Sequence, residues 1–211
     1  MNINIKYGVD FEINRVKNTL AKLDWYVSQG YRPKLPDGIK KDSSEQEIQN
    51  QIKKEYAEKK YKEVGRKITY DFSIIQETFT EKVKNIFDKE TPDTFLINLT
   101  NYGVGGSYNS PNIVIFNINN QKGLKTLIHE IIHILIEPFI QKYEIQHWEK
   151  ERIVDLILNS KEFAFLNYNF WQKEYNNAEK YIDKLFINYF FKGENIFFKK
   201  IKDARLSSKS F

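Results

Sequence analysis

Apolar residues recur at helical spacing through residues 10–28, at Phe11, Val16, Leu20, Leu23 and Val27, and Gly30 follows them. The pattern predicts an amphipathic helix that ends at the glycine. Before it, residues 1–7 read as a short strand. Residues 31–42 hold two prolines, a glycine and several charges and read as a loop. Asp42-Ser43-Ser44 with Glu45 and Glu47 behind it is a helix start: a hydroxyl or carboxylate there can accept the unpaired N–H groups of a first turn. The helix it opens, over 43–64, is rich in Gln, Glu and Lys and is expected to be exposed on most of its surface. Helical spacing returns over 67–88, at Ile68, Phe72, Ile75, Phe79, Val83 and Phe87, and Pro92 closes that section.

The period then changes. Residues 94–100 alternate in part and are rich in β-formers, and residues 113–118 form a second strand candidate. The turn-rich stretch 103–111 between them predicts a hairpin. Next comes a helix that is apolar almost all round, at Leu124, Leu127, Ile128, Ile131, Ile132, Ile134, Leu135 and Ile136. It is expected to begin near 121–123 and to stop at Pro138, which cannot continue a helix. A further helix is expected over about 146–160 and more helix over 161–192, with a mobile tail from about 203.

Composition narrows the class. A chain of 211 residues with 41% hydrophobic and 15% aromatic residues can bury a real core. With five prolines and nine glycines it is a helix-rich globular protein and not a disordered or fibrous one. The pattern suggests an α+β fold in three regions: a mainly helical part at 1–90, a central part with strands at 91–160, and a helical part at 161–211. These read as one compact domain. The formal net charge is +5, but acidic residues are interspersed almost everywhere and the basic clusters, such as Lys40-Lys41 and Lys59-Lys60, are short. That is a solvated surface and not a nucleic-acid footprint. No stretch approaches the roughly 18 apolar residues of a membrane span, and the N-terminus lacks an apolar signal-peptide core. The expected location is the cytoplasm.

The chemistry is concentrated in one pentapeptide, His129-Glu130-Ile131-Ile132-His133. Histidines four apart on a helix share a face and can offer two imidazoles to one metal ion. The glutamate beside the first can take a proton from a water on that metal. The chain has three histidines and no cysteine, so a zinc site here must be built from His and carboxylate. Burying two imidazoles and a carboxylate in so apolar a helix costs several kcal/mol unless they have partners, and a metal supplies one. Thr126, three residues before the first histidine, and uncharged internal positions fit the longer pattern of zinc peptidases. A hydrolytic zinc needs three protein ligands, an open position and an outer acceptor that orients a histidine. Glu151 and Asp155, four apart on the next predicted helix, can be the third ligand and that acceptor, with His129 the histidine held. Glu149 is the alternative third ligand. His147 reads as a surface histidine, with ligand or donor as its other roles. Tyr108, Tyr168, Tyr175, Tyr181 and Tyr189 read mainly as core or interface aromatics, with oxyanion donor as the other role open to one of them.

HExxH on one helix and Glu-x-x-x-Asp on the next resembles the gluzincins, the thermolysin-like zinc metallopeptidases. Here Glu151 falls eighteen residues after His133. The resemblance covers about residues 94–160 and implies a zincin-like α+β fold with a small mixed or antiparallel sheet. It implies Zn2+ on His129, His133 and Glu151, Glu130 as the base, Asp155 behind the ligands, and a peptide or protein substrate. It also implies an edge strand, Asn112, Ile113, Val114, Ile115, Phe116 and Asn117, that pairs with an extended peptide. Tyr143, ten residues after His133, resembles a tyrosine that steadies the oxyanion. The short distance from strand to motif helix implies a compact variant. Metzincin spacing is excluded because Phe139 stands where its third histidine belongs, and peptide deformylase because its ligand is a cysteine. The expected function is peptide hydrolysis. The alternative is a non-catalytic zinc-containing domain that binds a peptide or protein.

Overall fold

The computed structural model describes residues 1–87, 91–172 and 175–208. In chain order the elements are β1 (Asn2–Lys6), α1 (Val9–Ala21), α2 (Leu23–Ser28), α3 (Glu45–Glu55), α4 (Glu58–Ile86), β2 (Thr94–Thr100), β3 (Gly106–Asn109), β4 (Ile113–Asn117), α5 (Leu124–Tyr143), α6 (His147–Leu158), α7 (Glu179–Tyr189) and α8 (Glu194–Ser208). Short 3-10 turns lie at Lys161–Leu166 and Phe190–Lys192. The class is α+β, with one small sheet among helices. The chain divides into two compact units, Met1–Ile74 with Pro92–Glu130 and Ile75–Thr91 with Ile131–Phe211. The division cuts through α4 and α5, so it follows spatial contacts and not the three sequence regions. Among the described residues, no helix is long and apolar enough to cross a membrane.

The first unit is built on a four-stranded sheet in the order β1-β2-β4-β3. β1 pairs with β2 and β2 with β4 in parallel, while β3 runs antiparallel to β4. Alternate side chains of the middle strands, Phe95, Ile97 and Leu99 on β2 and Val114 and Phe116 on β4, point into the core. The expected hairpin between 94–100 and 113–118 is therefore not there. Those strands are parallel neighbours, and the hairpin joins β3 to β4 instead. The connection looked like pure turn because it is full of Gly, Ser and Asn. Gly103, at φ +79°, reverses the chain, and Gly106 to Asn109 then run extended.

The helix predicted over 10–28 is broken at Lys22, which shifts the phase of its second half. Tyr26 is buried after the break, while Val27 is 64% exposed. Glu12 is buried as well. Its carboxylate accepts hydrogen bonds from the hydroxyls of Tyr61 and Thr100 and from the Asn101 N–H. Burial raises its pKa, and those donors and nearby Arg15 oppose the rise. The polar helix over 43–64 is also interrupted, at Tyr56 and Ala57, and its last part, from Glu58, belongs to α4. Ser44 and Glu47 cap α3 reciprocally, as the sequence suggested. Ile48 and Ile52 pack on Val16 and Leu20 of α1, and the rest of α3 is exposed or half-buried.

In the second unit α6 packs against α7 and α7 against α8. Phe186, Phe190 and Phe197 pack at stacked and edge-on angles, and Phe139 stacks on Phe198. That last contact explains why α5 does not stop at Pro138. The proline costs the helix about 3 kcal/mol. Burying Phe139 and Ile140 beyond it returns about 1.5–3 kcal/mol each. The helix ends at Glu144, at φ 54°, with the Ile145 N–H bonded back to the Ile140 carbonyl. The stretch expected to be helical over 161–192 is interrupted at 167–172 and 175–178, where Asn167, Asn169, Asn176 and Asn177 all take positive φ. The tail expected to be mobile from 203 is helical to Ser208; residues 209–211 lie outside the described residues.

Candidate metal centre

α5 positions the motif by burying almost everything around it. Leu127, Ile128, Ile131, Ile132 and Ile136 are buried, and His129 and His133 are 7% and 2% exposed. The two imidazoles are one turn apart on one helix, a rise of about 6 Å along the axis. α6 brings up the carboxylates. The Glu149 carboxylate accepts the Gln146 N–H at 2.7 Å and closes the first turn. Glu151 and Asp155 follow on the buried face.

Ligand atoms of His129, His133 and Glu151 all lie within 4.8 Å of one another, and all three residues are buried. His133 Nε2 and Glu151 Oε1 are 3.4 Å apart. That is long for a hydrogen bond, which prefers about 2.7–3.2 Å. It is close to the edge of a tetrahedron around zinc, where bonds of about 2.0–2.1 Å put neighbouring ligand atoms about 3.3 Å apart. The donor set is two imidazoles and a carboxylate with no thiolate, all of them groups that zinc accepts. The residues present fit the ion.

The alternative ligand, Glu149, is committed elsewhere. It pairs with Arg205 at 2.7 Å and accepts from the Tyr181 hydroxyl, so it ties α8 and α7 to α6. Asp155 is fully buried, and its Oδ2 accepts from the Tyr175 hydroxyl at 2.6 Å and the Gln172 N–H at 2.9 Å. Burial and the Asp155 carboxylate push the Tyr175 hydroxyl up, so it stays a proton donor. His147 is not a plain surface histidine. Its Nδ1 is 3.9 Å from Glu151 Oε1, its ring sits edge-on to Trp148, and burial lowers its pKa, opposed by Glu151.

Glu130 is buried beside His129, where the sheet edge meets α5. A Cβ added at Gly106 of β3 would lie 2.5 Å from Glu130 Oε1 and 2.7 Å from Thr126 Cγ2. Any Cβ at this position would require the Glu130 carboxylate and the Thr126 methyl to shift. Thr126 is itself fixed by Asn120, whose amide donates to its hydroxyl at 2.9 Å.

Two expectations are overturned. The strand Asn112, Ile113, Val114, Ile115, Phe116 and Asn117 is not an edge: β4 lies between β2 and β3, and its backbone pairs on both sides. β3 is the edge on that side. Tyr143 does not reach the centre. Because α5 stays helical past Pro138, ten residues put Tyr143 about 15 Å along the axis from His133. Its hydroxyl lies 3.1 Å from Asn195 Oδ1, and its ring stacks on Phe198. Gly106 and Gln172 have no assigned place from sequence and Tyr175 reads there mainly as a core or interface aromatic, yet Gly106 lies against Glu130 and the other two meet the acids of α6. The glycine cluster at 103–106 was a signal for the first; Gln172 and Tyr175 reach α6 across a non-periodic stretch that carries no signal. Comparison with protein-family models, with curated proteins and with solved structures returns no match for this chain.

Proposed function

We propose that the chain is a zinc-dependent peptidase of the gluzincin type, with a compact zincin-like fold. The observation that carries this is the buried His129, His133 and Glu151 group with Glu130 set on the same helix against the sheet edge. His129, His133 and Glu151 hold the ion. Zinc so held supplies Lewis acidity toward a carbonyl and brings the pKa of a water down to about 7. Glu130 takes the proton of the attacking water and returns it to the leaving amine, so one carboxylate serves as base and then acid. Leu127, Ile128, Ile131, Ile132 and Ile136 around the motif are buried, and an apolar setting strengthens each charge interaction beside it. β3, the last strand on its side of the sheet, brings Gly106 against this carboxylate, and in this reading its free edge pairs with an extended peptide.

The test is incubation of the purified chain with a peptide library, read by mass spectrometry with and without chelator. Cleavage that stops with chelator and returns with zinc is expected, with about one zinc per chain. Zinc binding without cleavage overturns the peptidase reading and leaves a zinc-containing peptide-binding domain. The close approach of β3 gives a second expectation. Gly106→Ala pushes the Glu130 carboxylate aside by about 1 Å, lowers kcat/KM by about 10²-fold and leaves zinc content unchanged. Wild-type kinetics in that variant would show that β3 does not set the position of Glu130.

A further inference from the structure

We propose that Gln172 and Tyr175 are positioning residues for the metal centre, holding the ligand carboxylate and its buried neighbour on α6 in register with the histidines. The inference rests on the metal reading above. Both residues are in the second unit with Glu151, and each meets a different part of the same acid pair. The Tyr175 hydroxyl and the Gln172 N–H converge on Asp155 Oδ2, and that N–H is also 2.9 Å from the Tyr175 oxygen. The Gln172 side chain reaches the other acid: its Nε2 is 3.5 Å from Glu151 Oε2. The two oxygens of Glu151 thus have different surroundings. Oε1 faces His133, and Oε2 faces the Gln172 amide. An amide on Oε2 favours ligation through Oε1 alone, which suits a tetrahedral site with one position left for water.

The residues on either side of this contact are clamped. Arg152 lies on α6 beside Glu151. Its guanidinium carbon sits 4.6 Å from the ring centres of both Trp171 and Tyr175. It also forks onto Asp183 of α7, with bonds of 2.8 Å and 2.6 Å. A planar guanidinium suits this use, since its faces stack while its edge binds a carboxylate. Trp171 and Tyr175 are thereby fastened to α6 and α7. The purpose of such anchoring is chemical. A carboxylate fully buried at Asp155 is costly without donors, and a ligand carboxylate that rotates between one- and two-oxygen binding blurs the site.

Tyr175→Phe removes one oxygen and keeps the ring under Arg152. Zinc affinity, read by chelator competition, is expected to weaken about 10–100-fold, the usual effect of losing an outer-shell partner. Tyr181→Phe is the matched control, because its hydroxyl also meets a buried carboxylate, Glu149, that belongs to no ligand set. It is expected to keep wild-type zinc affinity whatever it does to the unfolding midpoint. Gln172→Ala disturbs no buried core and is expected to weaken zinc about 10-fold, which decides the matter if Tyr175→Phe does not fold. Wild-type zinc affinity in Tyr175→Phe and Gln172→Ala, or an equal loss in Tyr181→Phe, overturns the inference. A wild-type chain that binds no zinc overturns the metal reading and this inference with it. One that binds zinc yet cuts no peptide overturns the peptidase reading alone.

Discussion

Replacing Glu130 by Gln is expected to lower kcat/KM for peptide cleavage by at least about 10²-fold while zinc content stays at the wild-type level. The two side chains have nearly the same shape. That matters here because Glu130 is buried, with Gly106 so close that a single added carbon would collide with its Oε1. A smaller or larger residue would disturb β3 as well, and loss of activity would then have two causes. Gln fills the same space, still makes hydrogen bonds, and cannot take a proton. Histidine geometry on α5 is unaffected, so His129, His133 and Glu151 remain to hold the ion. Peptidase kinetics and elemental analysis on the same preparation check the expectation. Full activity would remove Glu130 from the reaction. Loss of zinc would show that its carboxylate helps to hold the centre and has no separable role as a base.

What the sequence made legible was local. The HExxH spacing is a property of one helix, and the helix declared itself by being apolar on every side of the motif. The Glu151 and Asp155 pair is likewise a single-helix pattern, as is the reciprocal cap of Ser44 and Glu47 on α3. The expectations that failed depended on partners distant in sequence. Pro138 reads locally as a stop because its cost to a helix is about 3 kcal/mol. The Phe139–Phe198 stack that outweighs it joins residues 59 apart, and no periodicity reports it. Because α5 runs on, Tyr143 is carried away from the centre, so the expected helix end and the expected role of Tyr143 fail together. The edge strand failed differently. The β-forming residues of 113–117 mark a strand but say nothing about its neighbours. The edge on that side, β3, is written in Gly, Ser, Tyr and Asn, and its first residue, Gly106, lies against Glu130. Glu12 has the same lesson. A charged residue on an amphipathic helix reads as solvated, and only the fold supplies the Tyr61, Thr100 and Asn101 donors that allow it inside.

Glu149 and Glu151 are two residues apart on α6, and their neutralisation is expected to have opposite consequences. Glu151→Gln removes the carboxylate whose Oε1 is 3.4 Å from His133 Nε2. Zinc affinity is expected to fall by more than about 100-fold, since a lost ligand costs more than the 10–100-fold of a lost outer-shell partner. The zinc-free protein should keep its unfolding free energy within about 1 kcal/mol, because the ordinary role of Glu151 is to hold the ion and not to join helices. Glu149→Gln leaves the centre intact and strikes the fold. The carboxylate is buried between the Arg205 guanidinium at 2.7 Å and the Tyr181 hydroxyl, and Arg205 is itself largely buried. Neutralising one partner strands the other charge, at a cost of about 3 kcal/mol. Denaturant unfolding with and without zinc separates the two. The wild type gains stability with zinc according to RT ln(1 + [Zn]/Kd). Glu149→Gln is expected to start lower and keep that increment; Glu151→Gln is expected to start level and lose it. If Glu149→Gln lost the increment and Glu151→Gln kept it, the third ligand would be Glu149, and α6 would have to present its other face to the histidines.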